Sequence, residues 1–153
     1  MRRSATSLLG LTSVVLLRCA TTVCAATECP DRLEVGFTGA TGNAGRYEIA
    51  VVTDGVAATC EITLPRTCGT EPVCSRTDLP WTVKLSGCSN GTAETITALV
   101  FRSAPSTVDF VVRRDDMLVG EAKLRPEYVE SHPNGPECGI CSTAARQTTA
   151  IAP

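Results

Sequence analysis

Apolar and polar side chains alternate along most of this chain with a period of two residues. The alternating runs are rich in Val, Ile and Thr, and Gly, Pro, Asp and Asn separate them, which is typical of β-strands. We find no convincing amphipathic helix in the pattern. Seven strands are predicted in this way, at 33–37, 47–53, 56–64, 81–86, 96–101, 108–112 and 118–124.

The strongest local signal is the pair Asp54 and Gly55, which lies between two alternating runs. Asp-Gly supplies the positive φ angles of a two-residue hairpin turn. With that turn, Cys60 falls on the apolar face of its strand and points into the core. The same register places Glu48 opposite Glu61, a like-charge pair that costs some stability.

A second hairpin is predicted around Asp115 and Asp116. Asp-Asp adopts left-handed conformations less readily than Asp-Gly, and the flanking apolar faces align better across a loop of three or more residues than across two. The register of this hairpin is therefore left open.

Short strands separated by turn signals, without helices between them, indicate an antiparallel β-sandwich. We expect about seven strands, disulfide-stapled, in an immunoglobulin-like or prealbumin-like arrangement. The length suits a single domain, which we assign to residues 26–141. The segment 142–153 is rich in Ala and Thr and is predicted to be a disordered tail.

Residues 1–25 have the three parts of an export signal: a basic start, a short apolar stretch and small residues before a cleavage site at Ala25 or Ala26. The apolar stretch, from Leu8 to Leu17, is too short to span a membrane. We expect cleavage, no membrane span in the product, and a secreted protein or one of the cell envelope, periplasmic or extracellular. Its oligomeric state is unknown.

The formal net charge is −2, and cleavage removes three arginines and no acidic residue. The remaining basic residues are scattered, so the chain has no basic patch for a phosphate backbone or an anionic membrane. Nucleic acid is not an expected partner. The expected partner is an unknown extracellular protein or glycan.

Two of the nine cysteines lie in the predicted signal, and the other seven are disulfide candidates, because exported cysteines are normally paired. They are Cys29, Cys60, Cys68, Cys74, Cys88, Cys138 and Cys141. Segment 65–80 is predicted as a loop that Cys68 and Cys74 could close, and Cys29 could reach Cys138 or Cys141 if the termini are close. The connectivity and the unpaired seventh cysteine stay open.

The sequence favours structural roles for its cysteines and its histidine over catalytic or metal-binding roles. Cys138 and Cys141 have the spacing of a redox pair, but a helix start in a βαβ unit is not predicted around them. They could also bind zinc together with His132, although export favours oxidation of the two cysteines to disulfides, which do not bind zinc. His132 is the sole histidine, and we interpret it as an exposed loop residue. We expect no catalytic residue, metal or cofactor.

Two further patterns have simple interpretations. The carboxylates between 109 and 127 are clustered in sequence and are expected to form a solvated face, since strand geometry selects no pair for glycoside cleavage. Asn90 begins a glycosylation sequon and is interpreted as a turn residue.

Several short motifs of this chain resemble those of a known group of proteins. They are Gly45, Tyr47, Asp54-Gly55, Thr59-Cys60, Pro126, Tyr128 and the segment 133–138, Pro-Asn-Gly-Pro-Glu-Cys. The chain resembles a group of uncharacterised secreted bacterial proteins that share a terminal Pro-Asn-Gly-Pro-x-Cys signature. The resemblance covers most of the exported product. It implies export and a disulfide-bearing β-sandwich, and it implies no activity. Asp115-Asp116 departs from the Asp-Gly that is usual there.

Two classes of function follow. The favoured one is a non-enzymatic binding or structural module of unknown ligand, with the Cys68 to Cys74 loop and its neighbours Arg66 and Arg76 as the candidate surface. A related version is a protease inhibitor that presents this disulfide-bounded loop. The other class is a thiol-disulfide redox protein using Cys138 and Cys141.

Overall fold

The computed structural model describes residues 33–88 and 93–153. The predicted signal at 1–25, Cys29 and the sequon at Asn90 lie outside the described residues.

The described residues form an all-β structure of eleven strands. All seven predicted strands are present, and four further short strands, β4, β9, β10 and β11, were not predicted. The strands are β1 (Leu33–Gly39), β2 (Gly45–Thr53), β3 (Val56–Leu64), β4 (Val73–Cys74), β5 (Trp81–Ser86), β6 (Thr95–Phe101), β7 (Val108–Arg114), β8 (Met117–Leu124), β9 (Tyr128–Ser131), β10 (Cys141–Ala144) and β11 (Gln147–Ile151).

Two larger sheets face each other and share one apolar core. Their strand orders are β11-β1-β6-β5 and β4-β3-β2-β7-β8, and β9 and β10 form a separate two-stranded sheet. The inward residues of both large sheets belong to one buried cluster, in which Trp81, Tyr47 and Phe101 are the largest fully buried side chains. The arrangement is sandwich-like, as the alternation predicts.

The first hairpin has the predicted turn and register. Asp54 and Gly55 have φ angles of 46° and 82°, and Thr53 pairs with Val56 across the turn. Cys60 is inward and only 1% exposed. The predicted like-charge pair Glu48 and Glu61 is also present, and Glu48 has Arg113 at its register position on the other side, in β7. A basic residue therefore flanks the two acidic ones.

The register of the second hairpin, which the sequence left open, is that of a two-residue turn. Asp115 and Asp116 form a two-residue turn with φ angles of 50° and 67°, and Arg114 pairs with Met117. The apolar faces still align because β8 carries one extra residue, Val119, at a β-bulge that shifts the register. Val119 points inward and is 6% exposed.

The expected disorder of 142–153 is wrong. Residues 147–151 form β11, which pairs in parallel with β1. Ile151 is 4% exposed and belongs to the core cluster, and the Ala152 N–H donates to the Val119 carbonyl at 2.7 Å. Gly120 leaves the room for this contact, because a Cβ there would lie 2.6 Å from Ile151 Cδ1. One lateral side of the sandwich is thereby closed by β11 and β8.

Candidate functional site

The disulfides differ from the predicted loop closure between Cys68 and Cys74. Cys74 is bonded to Cys60, and Cys68 is bonded to Cys88. Cys74 lies in β4, where it is the cross-strand partner of Cys60. A strand of two residues has too little alternation to be recognised in a sequence, which is why this pairing was missed.

The two disulfides fix the segment 65–80 at two different places. Cys60–Cys74 holds its second half to the middle of β3, whereas Cys68–Cys88 holds its first half to the end of β5. Each cross-link removes conformations from the unfolded chain and is worth about 2–4 kcal/mol in typical proteins. The segment is therefore a fixed wall of the molecule.

A buried ion pair stabilises the first half of this segment. Arg66 Nε lies 2.9 Å from Glu94 Oε2, and their side chains are only 7% and 9% exposed. The Arg66 Nε–H is directed at the Thr70 hydroxyl, at 3.0 Å, so Glu94 Oε2 has no aligned donor among the described residues. Glu94 Oε1 contacts the Cys88 sulfur. Arg66 is thus an internal residue, and the prediction that it contributes to a binding surface is wrong.

The segment 65–80 forms one wall of a cleft of about 360 Å³, which we call the β5 cleft. Residues between 71 and 79 line one side, Trp81, Thr82 and Val83 line the other, and Arg102 lies at its margin. Successive strand residues point to opposite faces of a sheet. A cleft that touches three successive residues of β5 therefore lies along the edge of that strand, on the side of the sandwich opposite to β11.

The β5 cleft is lined by charges of both signs, those of Glu71, Arg76 and Arg102. Arg76 makes a bidentate pair with Asp78, with Nε–Oδ1 and Nη2–Oδ2 distances of 3.0 and 2.8 Å. The hydrogen bond to Asp78 raises the pKa of Arg76, and the same bond lowers the pKa of Asp78. Arg102 is exposed and makes no ion pair with any described residue. Its charge is available to a ligand.

A second depression, of about 350 Å³, lies on the outer face of the other sheet. Its floor is mostly apolar, with Ala50, Val52 and Val111 beside the carboxylates of Asp109 and Glu121. All of its lining residues belong to one sheet, so it has a floor and no facing wall. Unlike the β5 cleft, this depression has no wall that is held in place by disulfides.

The other candidate residues do not converge on a reaction centre. Cys138 and Cys141 are both disulfide-bonded, and Cys141 is 3% exposed. His132 is exposed, and its carbonyl accepts a hydrogen bond from the Gly135 N–H at 3.0 Å. Within 33–88 and 93–153, no group of three or more His, Cys, Asp or Glu residues is placed to hold a metal ion.

Of the clustered carboxylates, Asp116 pairs with Arg46 at 2.9 Å. Asp109 and Glu121 lie on the outer sheet face, in the second depression. The described segments also contain no helix that is long and apolar enough to cross a membrane.

Comparison of the chain with protein-family models, with curated proteins and with solved structures finds no match.

Proposed function

We propose that this protein is an exported, non-enzymatic binding module whose ligand, an extracellular protein or glycan, occupies the β5 cleft. The observation that carries the proposal is the double attachment of one cleft wall, through Cys60–Cys74 and Cys68–Cys88. A wall that is fixed before binding loses little conformational entropy when the ligand arrives, and this favours affinity.

Export is supported by the cysteine chemistry. Disulfides persist in oxidising compartments, and all six cysteines within the described segments are disulfide-bonded. The export signal, the resemblance to secreted bacterial proteins and an immunoglobulin-like or prealbumin-like sandwich belong to the same proposal.

The alternative functions have less support. An inhibitor loop has to insert a side chain into a protease, and Arg66 is held in its buried ion pair with Glu94. A redox function needs an accessible sulfur; Cys141 is buried and Cys138 is half-buried, and sequence 133–140 provides no helix start of the kind that activates such a pair.

The test is to map binding by amide chemical-shift changes in the labelled protein, with a panel of soluble glycans and with pools of decapeptides. We expect the shifts to cluster at 71–83 and at Arg102. Thr82→Trp should abolish them, because Thr82 lines the cleft from an exposed position. The matched control is Thr63→Trp, at an exposed position on the outer face of β3. Shifts that cluster elsewhere, or that survive Thr82→Trp, would refute the proposal.

A further inference from the structure

We infer that the ligand of the β5 cleft is an extended peptide segment of a partner protein, which adds to β5 as a further antiparallel or parallel strand. This inference rests on the proposed function and names the chemistry of its ligand. Three features carry it: the open backbone edge of β5, the position of the cleft along that edge, and the charge of Arg102, which has no ion-pair partner among residues 33–88 and 93–153.

The first feature is the edge itself. β5 is the terminal strand of its sheet and pairs with β6 on one side. Across its other side, no strand among the described residues is hydrogen-bonded to it. Alternate N–H and C=O groups of an edge strand point away from the sheet, where they can bind another strand. β5 therefore presents a row of backbone donors and acceptors to the cleft.

The terminal strands on the opposite side of the sandwich, β11 and β8, differ from β5 because they contact each other. There, the Ala152 N–H donates to the Val119 carbonyl of β8. The edge at β4 is two residues long. β5 combines usable length with an adjoining cleft whose facing wall is held by two disulfides.

The second feature is the shape of the cleft. An added strand would direct alternate side chains to the two faces of the sheet. On the inner side it would meet Leu79 and Val83, which are half-buried and pack against the core cluster. An aliphatic side chain of the peptide fits this apolar position, while the next residue along the peptide points outward.

The third feature is charge. Thr82 of β5 is paired with Val100 of β6, and paired residues point to the same face of a sheet. Arg102 lies two positions after Val100, so it points to that face as well. The outward side chain of the peptide would therefore lie near the Arg102 guanidinium. A carboxylate can bind a guanidinium through two parallel hydrogen bonds. We accordingly assign an acidic residue to the outward position of the peptide.

The length of the contact is limited by the second half of β5. The register with β6 shifts between Lys84 and Leu85, and Lys84 lies 3.4 Å from Glu34 in an ion pair. A lysine on an edge strand discourages pairing with another chain. The peptide should therefore pair mainly with residues 81–83, where the cleft lies.

The experiment begins with selection of a phage-displayed decapeptide library on the full exported chain. Selected peptides are then synthesised and N-methylated at every second residue, in either of the two phases. N-methylation removes a backbone donor and leaves the side chains unchanged. We expect one phase to weaken binding at least tenfold and the other to change it less than threefold. This period of two is a property of strand addition.

Two variants test the role of charge. Arg102→Gln should weaken binding of acidic peptides about tenfold and should not affect peptides whose acidic residue is replaced by Gln. Arg125→Gln is the matched control, since Arg125 is exposed and does not line the β5 cleft. Dispersed amide spectra of both variants confirm that they are folded.

The outcomes separate the two proposals. If no peptide is selected, or if both N-methylation phases act equally, strand addition is refuted. If glycans and not peptides shift the amides at 71–83, the inference fails while the proposed function stands. If sedimentation shows that a second copy of the chain occupies the edge, the separate partner is refuted. If no probe shifts the cleft amides, both proposals fail.

Discussion

At the scale of single residues, Asp54 connects the first hairpin to the start of β7. Its Oδ1 accepts hydrogen bonds from the Ser106 hydroxyl at 2.7 Å and from the backbone N–H groups of Ser106 and Thr107 at 3.0 and 3.1 Å. The Ser106 hydroxyl contributes most to lowering the pKa of Asp54 below 3.8, while burial opposes it. Asp54 therefore has a positional role as well as its role in the turn.

This hydrogen bonding predicts a pH-dependent stability. Because the pKa of Asp54 is lower in the folded state, its contribution is complete above the unfolded value and is lost as the pH falls through the folded value. We expect Asp54→Asn to cost at most about 1 kcal/mol near neutral pH, since the group is exposed and screened. The difference from wild type should shrink between about pH 5 and pH 2. Urea unfolding at several pH values measures it.

Asn is a suitable replacement, because it tolerates the positive φ at position 54. Ser106→Ala should reduce the same pH dependence without any change in the turn. A difference that stays constant down to low pH would assign the effect to backbone conformation and not to charge.

At the scale of elements, the β7–β8 turn shows how Asp-Asp can replace Asp-Gly. The Asp115 Oδ1 accepts from the Arg46 N–H at 2.9 Å, and the Asp115 N–H donates to the Arg46 carbonyl at 2.9 Å. The neighbouring strand β2 thus holds Asp115 in its left-handed conformation. Asp116 has an ion pair with Arg46, but the two side chains are 85% and 50% exposed.

The two turn positions should therefore respond differently to glycine. We expect Asp116→Gly to stabilise the fold by about 1 kcal/mol, because a left-handed L-residue is strained and the exposed ion pair is worth little. Asp115→Gly should increase the stability less, because it removes the carboxylate that accepts a hydrogen bond from the Arg46 N–H. Thermal unfolding of both variants gives the comparison. A less stable Asp116→Gly variant would show that the ion pair outweighs the strain.

The stability of the loop 65–80 depends on the ion pair between Arg66 and Glu94. We expect Glu94→Gln to cost about 3–5 kcal/mol, because it leaves the buried Arg66 charge uncompensated. The double variant Arg66→Met with Glu94→Leu should retain most of the stability, since replacing a buried pair by apolar side chains is often neutral. Urea unfolding measures both. Equal losses in the single and double variants would contradict an electrostatic origin.

At the scale of the whole molecule, β11 closes one side of the sandwich through Ile151. We expect Ile151→Ala to cost about 2–4 kcal/mol, because it leaves a cavity in the core cluster. Pro153→Ala is the control, since Pro153 is exposed and its replacement should be close to neutral. Calorimetry of the two variants tests this. A neutral Ile151→Ala would mean that the side is closed by the backbone alone.

The sequence predicts those parts of the fold that repeat over several residues. The seven strands have sustained alternation, and Asp54-Gly55 specifies the register of β2 and β3 by itself. β11 is missed because Ile151 is its one buried residue. Disulfide pairing and the β5 cleft depend on which strands become neighbours. That choice is made by the packing of two sheets, which local alternation does not encode.

The parallel pairing of β1 with β11 has a consequence for the order of folding. A ribosome releases the chain from its N-terminus, so β1 emerges early, whereas residues 147–151 emerge after all the other described strands. The hairpin β2–β3 can form as soon as it appears, but one edge of β1 must wait until synthesis has passed Ile151. Until then the nascent chain displays a bare strand, and a holdase chaperone that binds extended segments would find its target there.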